Sequence, residues 1–444
     1  MSENITIKFA IERRLRRKCG SFAIPPRGSG RSKSSPLEAG VRKHSDRCLS
    51  KEQERALARI VILNRVDPER VRYNQVIDHD MHEVTYIGQF LDGVSPARAR
   101  IITAKLSDLD PDALPALIEE ACANCDCLVA RGERDLILAA QIRERFNIPG
   151  DTVAKVLPIR DKLTMRMSVR GSTVRQPAFW SLAQYKHASG RIPLHQTLVL
   201  KPRLDAASNG IWIGSRNELD ARVETLRETD WLVEEYIPGD ILHLDGLLQG
   251  GKLDILQASK YVNTCFSYAA GSALGSTQIE NPEWASTAVT ELSRLLNYSD
   301  GGFHLEMIVD GNGQPHFLEF AGRIGGAYIA EAFELKTGVN LHHADLRCAI
   351  GETANVVLGR GAQDMFGWFL FPYGANLDCG SVRQTFDDQF VRCLINAQPT
   401  RPDVPSYSEI HSPFCGIVRK PSSCEDVIHE IVRHVTAVPV ASAS

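Results

Sequence analysis

No run in this sequence stays apolar for the roughly 18 residues that a bilayer-spanning helix needs, so a membrane protein is not expected. The first residues turn basic without an apolar core, so a secretory leader is not expected either. The 11 cysteines are odd in number and scattered, which argues against a disulfide framework and for a reducing cytoplasm. Cys122, Cys125 and Cys127 look like half of a zinc site, yet no second CxxC or HxxxH partner lies nearby. No GxGxxG follows the first expected strand and no GxxxxGKS/T occurs, so dinucleotide and Walker-type nucleotide sites lack support.

What is present is ordinary in bulk: 43% hydrophobic and 24% charged residues fit a globular protein. The 444 residues exceed a single core and predict two or three domains. Charge is unevenly spread. Residues 1–55 hold 14 Lys and Arg against 6 Asp and Glu, which leaves the remainder net acidic. The tail 1–56, with its run SFAIPPRGSGRSKSSP, buries too little apolar surface to fold alone and is expected to be disordered. Its ERRLRRK cluster would suit nucleic acid or an organelle receptor, but no aromatic platform or nucleic-acid module accompanies it, so a solvated extension is the expectation.

Order is expected to begin near Ala56. The β-branched run Arg59–Asn64, then Glu83–Ile87, Ala99–Thr103 and Cys127–Ala130, read as strands, with Leu114–Ala123 a helix between the last two. This alternation predicts an α/β layer domain. Asp78-His79-Asp80-Met81-His82 reads as a polar turn, because no third metal-ligand position is defined. Glu133–Phe146 has helical spacing and stops at Asn147-Ile148-Pro149-Gly150. Arg160-Asp161-Lys162 opens a further helix, and a helix N-terminus beside a lysine suits a phosphate.

Thr197–Pro202 is an apolar strand carrying one lysine, Lys201, and it leads through the small-residue loop Arg203–Gly210 to the strand Ile211–Ile213. Such a loop leaves backbone N–H groups to surround an anion, with Lys201 as counter-charge. Trp231–Gly239 is a strand ending at Pro238-Gly239, whose exposed backbone suits the edge of a planar base.

The stretch Gly301–Gly326, GGFHLEMIVDGNGQPHFLEFAGRIGG, sets two apolar runs around Asp310-Gly311-Asn312-Gly313, the pattern of a β-hairpin. Each run carries one glutamate, Glu306 and Glu319. Ionised carboxylates among apolar residues are costly without a positive partner, so the pair suggests a bound cation; the bland alternative is a hairpin whose glutamates face solvent. Arg323 follows, then Gly325-Gly326, which permits close approach of backbone to a ligand. Ala327–Gly338 predicts a helix with Tyr328 and Glu331 near its start, and His342-His343-Ala344-Asp345 falls in a helical continuation where neighbours do not share a face. Residues 356–440 read as short strands and a final helix, Ser423–Thr436.

Taken in order, LAAQIRERFNIPG, RDKLTMR, LVLKPRLDAASNG, WLVEEYIPG and HLEMIVDGNGQPHFLEFAGRIGG resemble the ATP-grasp superfamily, and within it the carboxylate–amine ligases that act on amino acids. The resemblance covers residues 57–440. It implies an α/β (α+β) ATP-grasp fold with an N-terminal α/β layer domain (57–155), a central ATP-grasp domain (156–355) and a small C-terminal subdomain (356–444). By matching position, Lys162 and Lys201 are similar to the two lysines that hold the ATP phosphates. Asp205–Gly210 is similar to the loop that closes over the β- and γ-phosphates, with Ser208 and Gly210 as its contacts and Ser208 and Lys201 counted as catalytic. Glu234, Glu235, Tyr236 and Ile237 resemble the hinge whose backbone reads adenine. Glu306 and Glu319 resemble the ligands of Mg²⁺, with Mn²⁺ as an alternative. Arg323 resembles the arginine that holds the substrate carboxylate and the acyl phosphate made from it. The segment Lys260–Ser276 corresponds to the second substrate's pocket, with Lys260 as a phosphate contact.

Two positions depart from the family. Ala321 stands where relatives carry an asparagine that adds a metal ligand, and Ile241 where many carry a glutamate on the ribose. Asp240, Asp245 and His243 are the candidates to replace that glutamate. The implied activity is ATP-dependent joining of a carboxylate to an amine through an acyl phosphate, releasing ADP and phosphate, with an amino acid as substrate. Other ATP-grasp ligase or carboxylase chemistry, and a non-catalytic ATP-binding protein, are the alternatives. Small-molecule carboxylate and amine partners, no nucleic acid, no membrane and a homodimer complete the expectation.

Overall fold

Short β-branched runs build the first sheet. In the computed structural model, which describes residues 57–66, 68–89, 91, 99–357, 362–374, 379–402 and 406–436, β1 (Arg59–Asn64) is buried from Ile60 onward, as an inner parallel strand must be. The basic tail expected at 1–56 lies outside the described residues. Contacts divide the chain into Met1–Leu57 and Ala58–Ser444, and the elements named here belong to the second unit. β2 (Glu83–Gly88), β3 (Arg100–Thr103) and β4 (Cys127–Ala130) join β1 in a parallel sheet of order β3-β2-β1-β4. The helices Ala116–Ala123 and Leu136–Phe146 lay Ile118, Cys122, Leu138 and Ile142 against Val61, Leu63 and Leu128. The first of these starts two residues later than Leu114 because Pro115 occupies its N-cap, and Asn147 ends the second in a left-handed conformation, φ 56°.

A second sheet is antiparallel, with β5 (Phe179–Ser181), β6 (Thr197–Pro202), β7 (Trp212–Ser215) and β8 (Trp231–Glu235) in the order β5-β8-β6-β7. The third is an eight-stranded antiparallel sheet. It takes β9 (Gly239–Gln249), β10 (Lys252–Val262), β11 (Leu274–Gln278), β12 (Gly301–Asp310), β13 (Pro315–Ala321), β14 (Met365–Leu370), β15 (Phe390–Ile395) and β16 (Phe414–Lys420). Its order is β13-β12-β9-β10-β11-β14-β16-β15, so the strands expected beyond residue 356 extend the same sheet through the β11 and β14 pairing. The final helix is Glu425–Thr436.

The expected hairpin is β12 and β13, and its alternation decides what faces the site. Phe303, Leu305 and Met307 enter the core with the helix Ala285–Leu295, while His304, Glu306 and Ile308 turn to a cavity on the other face. The register pairs Glu306 with Glu319 and then Met307 with Phe317, leaving Leu318 as a bulge. The bulge lets Leu318 and Glu319 both line the cavity while Phe317 and Phe320 pack below. Among the described residues no helix is long and apolar enough to cross a membrane.

Candidate active site

A cavity of about 560 Å³ opens between the second and third sheets. Lys162, Lys201, Ser208, Glu234 to Ile237, Glu306, Glu319 and Arg323 all line it, so residues spread over 160 positions of sequence meet in one place. The hairpin glutamates therefore do not face bulk solvent.

Lys162 is the first residue of the helix Lys162–Ser168, capped by Asp161, whose carboxylate accepts from the Leu163 and Thr164 N–H groups. The lysine donates to the Asp205 carbonyl at 2.6 Å and pairs with Glu319 at 2.9 Å. One helical turn on, Arg166 is buried, and it donates to the Phe317 and Leu318 carbonyls and to Glu234. Its planar fork thus pins the bulge in β13 to β8. Glu234 also holds Lys201, Nζ to Oε2 being 2.6 Å. Burial pushes the Glu234 carboxyl up, but Arg166 and Lys201 outweigh it and hold the group at about 2.

Under the hairpin runs a buried relay. Tyr261 donates to Glu306 at 3.1 Å, and the His304 Nε2 lies 3.4 Å from the same oxygen. The His304 and His243 Nδ1 atoms each meet one Asp245 oxygen, at 2.8 and 2.5 Å, and the His243 Nε2 meets the Ser276 hydroxyl at 2.7 Å. Burial opposes charge on His304, yet Asp245 and Glu306 raise it to about 9, so it is an imidazolium at neutral pH. The same histidine holds Glu306 below its ordinary range against the pull of burial. His243, Asp245 and His304 sit close together, and their atoms are hydrogen-bonded to one another and to Ser276, so the group acts as a buried prop.

Arg323 leans on Glu133, which bridges it to Arg160; Arg323 Nε to Glu133 is 2.8 Å and Arg160 Nη1 to Glu133 is 2.6 Å. Burial raises the Glu133 carboxyl, and the two guanidiniums and Lys162 bring it far below its ordinary range. The loop beyond β6 holds Ala207 at φ 57°, Ser208 at φ 55° and Gly210 at φ 71°, left-handed values that small residues tolerate best. Asp205 ties this loop down through Asn209 at 2.6 Å and Arg134 at 3.3 Å.

Three expected cofactor contacts are placed elsewhere. Asp245 lies on β9 directly across from His304 with its carboxylate taken by two histidines, and it does not line the cavity. Lys260 pairs with Glu425 at 3.0 Å and Asp240 at 3.2 Å and does not line the cavity. Gly210 is also absent from the lining; it packs where a Cβ would meet the Pro202 ring at 2.9 Å. None of the ribose candidates reaches the cavity, whereas Ile241 and Ala321 do line it. Tyr328 and Glu331 are likewise spent elsewhere, on Glu409 and Arg70.

Sequence reasoning missed Glu133, Arg166 and Tyr261. Arg166 had a signal, four positions after Lys162 on one helix face, whereas Glu133 looked like one charge among many at a helix start.

Residues 194–331 match a family described as the ATP-grasp domain. No curated protein matches the chain in sequence. In fold, the chain is similar to an L-amino acid ligase from Bacillus licheniformis, with 18% identity, a TM-score of 0.63, and 85% of this chain and 97% of that one covered. It is similar to N5-carboxyaminoimidazole synthetase from Staphylococcus aureus complexed with ADP, at 14% identity and TM-score 0.63, over 85% of this chain and 98% of that one. It is also similar to phosphoribosylglycinamide synthetase from Anaerococcus prevotii, at 15% identity and TM-score 0.58, over 85% and 98%. Residues 194–331 thus match an ATP-grasp domain, and the chain has the ATP-grasp fold.

Proposed function

We propose that the chain uses ATP to join a carboxylate to an amine, with an amino acid as one substrate. The observation that carries this reading is the in-register pair Glu306 and Glu319 in one cavity with Lys162, Lys201 and the Asp205–Asn209 loop. Phosphoryl transfer to a carboxylate brings anion against anion, so the reaction needs positioning and neutralised charge more than covalent help. Lys162 and Lys201 set positive charge against the phosphates, and Ala207 and Ser208 of the small-residue loop line the cavity beside them. The hinge Glu234–Ile237, at the end of β8, offers backbone groups to a purine edge.

Glu306 and Glu319 are hard oxygen donors that fit Mg²⁺, and Ala321 adds none. The ion, when bound, would neutralise phosphate oxygens. Arg323 spends three of its five N–H groups on Glu133 and the Ile324 carbonyl, which leaves two for a substrate carboxylate. In the reaction, a substrate carboxylate oxygen attacks the γ-phosphorus and ADP leaves. The amine then attacks the acyl carbon, phosphate leaves, and the amine gives up a proton as the amide forms.

The test is phosphate release by the pure protein with Mg-ATP and a panel of amino acids, singly and in pairs, with product masses. Amino-acid-dependent release and a product lighter by one water than its two substrates are expected. Release that never depends on any amino acid or carboxylate sinks the reading.

A further inference from the structure

Several charged groups of the cavity are paired with one another: Lys201 with Glu234, Lys162 with Glu319 and Arg323 with Glu133. One part of the wall differs in character. It is made by Tyr261 of β10, Leu274 of β11, Trp368 of β14, Cys265 and Phe266 of the helix Cys265–Ala269, and Tyr407. Tyr261 meets the Trp368 ring edge-on at 6.4 Å, and Leu274, Ile329 and Trp368 belong to the same buried cluster. None of the wall residues just named carries a carboxylate, ammonium or guanidinium; Glu306 and His304 border the wall at Tyr261, whose hydroxyl donates to Glu306 at 3.1 Å, and Lys260 is turned out to Glu425 and Asp240. The Tyr407 hydroxyl is buried within reach of Cys265 and Ser208, and the Thr264 and Ser267 hydroxyls, which bond each other at 2.9 Å, also line the cavity.

We infer that this wall receives the side chain of a bulky, uncharged, apolar amino acid, aromatic or branched aliphatic. The inference rests on the ligase reading and narrows its substrate. An ammonium, guanidinium or carboxylate placed there would lose its hydration with no free counter-charge, since Glu306 and His304 already hold each other, whereas apolar surface gains by burial. A phosphorylated ribose, such as the ribonucleotide bound by an N5-carboxyaminoimidazole synthase from Aspergillus clavatus, would need basic groups that this wall does not offer.

The experiment measures kcat/KM for phosphate release with the full chain and Mg-ATP, across Phe, Trp, Leu and Met against Asp, Glu, Lys and Arg. The apolar set should lead by at least about 100-fold. Trp368→Ala should raise KM for the largest side chains about tenfold or more while ATP binding, followed by calorimetry, stays unchanged. Because Trp368 is buried and its loss could unfold the chain, Phe266→Ala, at a partly exposed position, serves as the second variant and should also raise KM for aromatic amino acids. A preference for charged amino acids, or unchanged KM in a folded Phe266→Ala variant, overturns the inference and leaves the ligase reading standing. No amino-acid-dependent release at all, with ATP still bound, overturns both.

Discussion

Glu306 and Glu319 are register partners on adjacent strands, and their surroundings could hardly differ more. Glu306, with 17% of its side chain exposed, is held by the Tyr261 hydroxyl and a charged, buried His304 that Asp245 in turn fixes. Glu319, with 29% exposed, has Lys162 as its ion-pair partner. One carboxylate is fixed by the fold whatever the cavity contains; the other is balanced by a lysine that a ligand can draw away. The lysines mirror this, since Lys201 is clamped by buried Glu234 and Lys162 is not.

The contrast breaks or sharpens on direct measurement. Glu306→Ala and Glu319→Ala should each lower turnover by about 10²–10³-fold or more, read by phosphate release. Thermal unfolding should separate them: Glu306→Ala strands two buried donors and should destabilise by about 1–3 kcal/mol, while Glu319→Ala should stay within about 1 kcal/mol. Equal melting temperatures would erase the distinction. Glu234→Gln should destabilise by about 3–5 kcal/mol in urea, because Arg166 and Lys201 remain buried without their shared anion, against about 1 kcal/mol for Lys162→Met.

A further effect is in pH. His304 titrates at about 9 in the folded chain, above its unfolded value of about 6.5, so its stabilisation is complete below pH 6.5 and is lost as pH rises through 9. The melting temperature should fall between pH 7 and 9, equivalent to about 2 kcal/mol, and His304→Gln should flatten that slope. A slope unchanged in the variant would show that the prop is not charged.

Local features were legible in sequence. Arg59–Asn64, Thr197–Pro202 and the Gly301–Gly326 hairpin carry their own periodicity, and the strand alternation alone turns Glu306 inward. What stayed hidden depends on partners remote in sequence. Asp245 and Lys260 lie on long strands whose facing neighbours, His304 and Glu425, are 59 and 165 positions away, and no local pattern says that these will claim them. Glu133 is invisible for the same reason, and the helix-face spacing that points to Arg166 does not name its partners: each becomes important only when tertiary packing buries it among opposite charges.

Glu133 sits at the edge of the first sheet, yet it balances Arg160 and Arg323, which serves the cavity. A boundary drawn by homology around residues 194–331 therefore cuts through an electrical circuit. A fragment trimmed to that match would carry Arg323 without its anion and Glu234 without Arg166, and would lack Lys162 altogether. For anyone exchanging parts between such proteins, the unit that travels together is set by which charges cancel, and here it reaches back at least to the turn that holds Glu133.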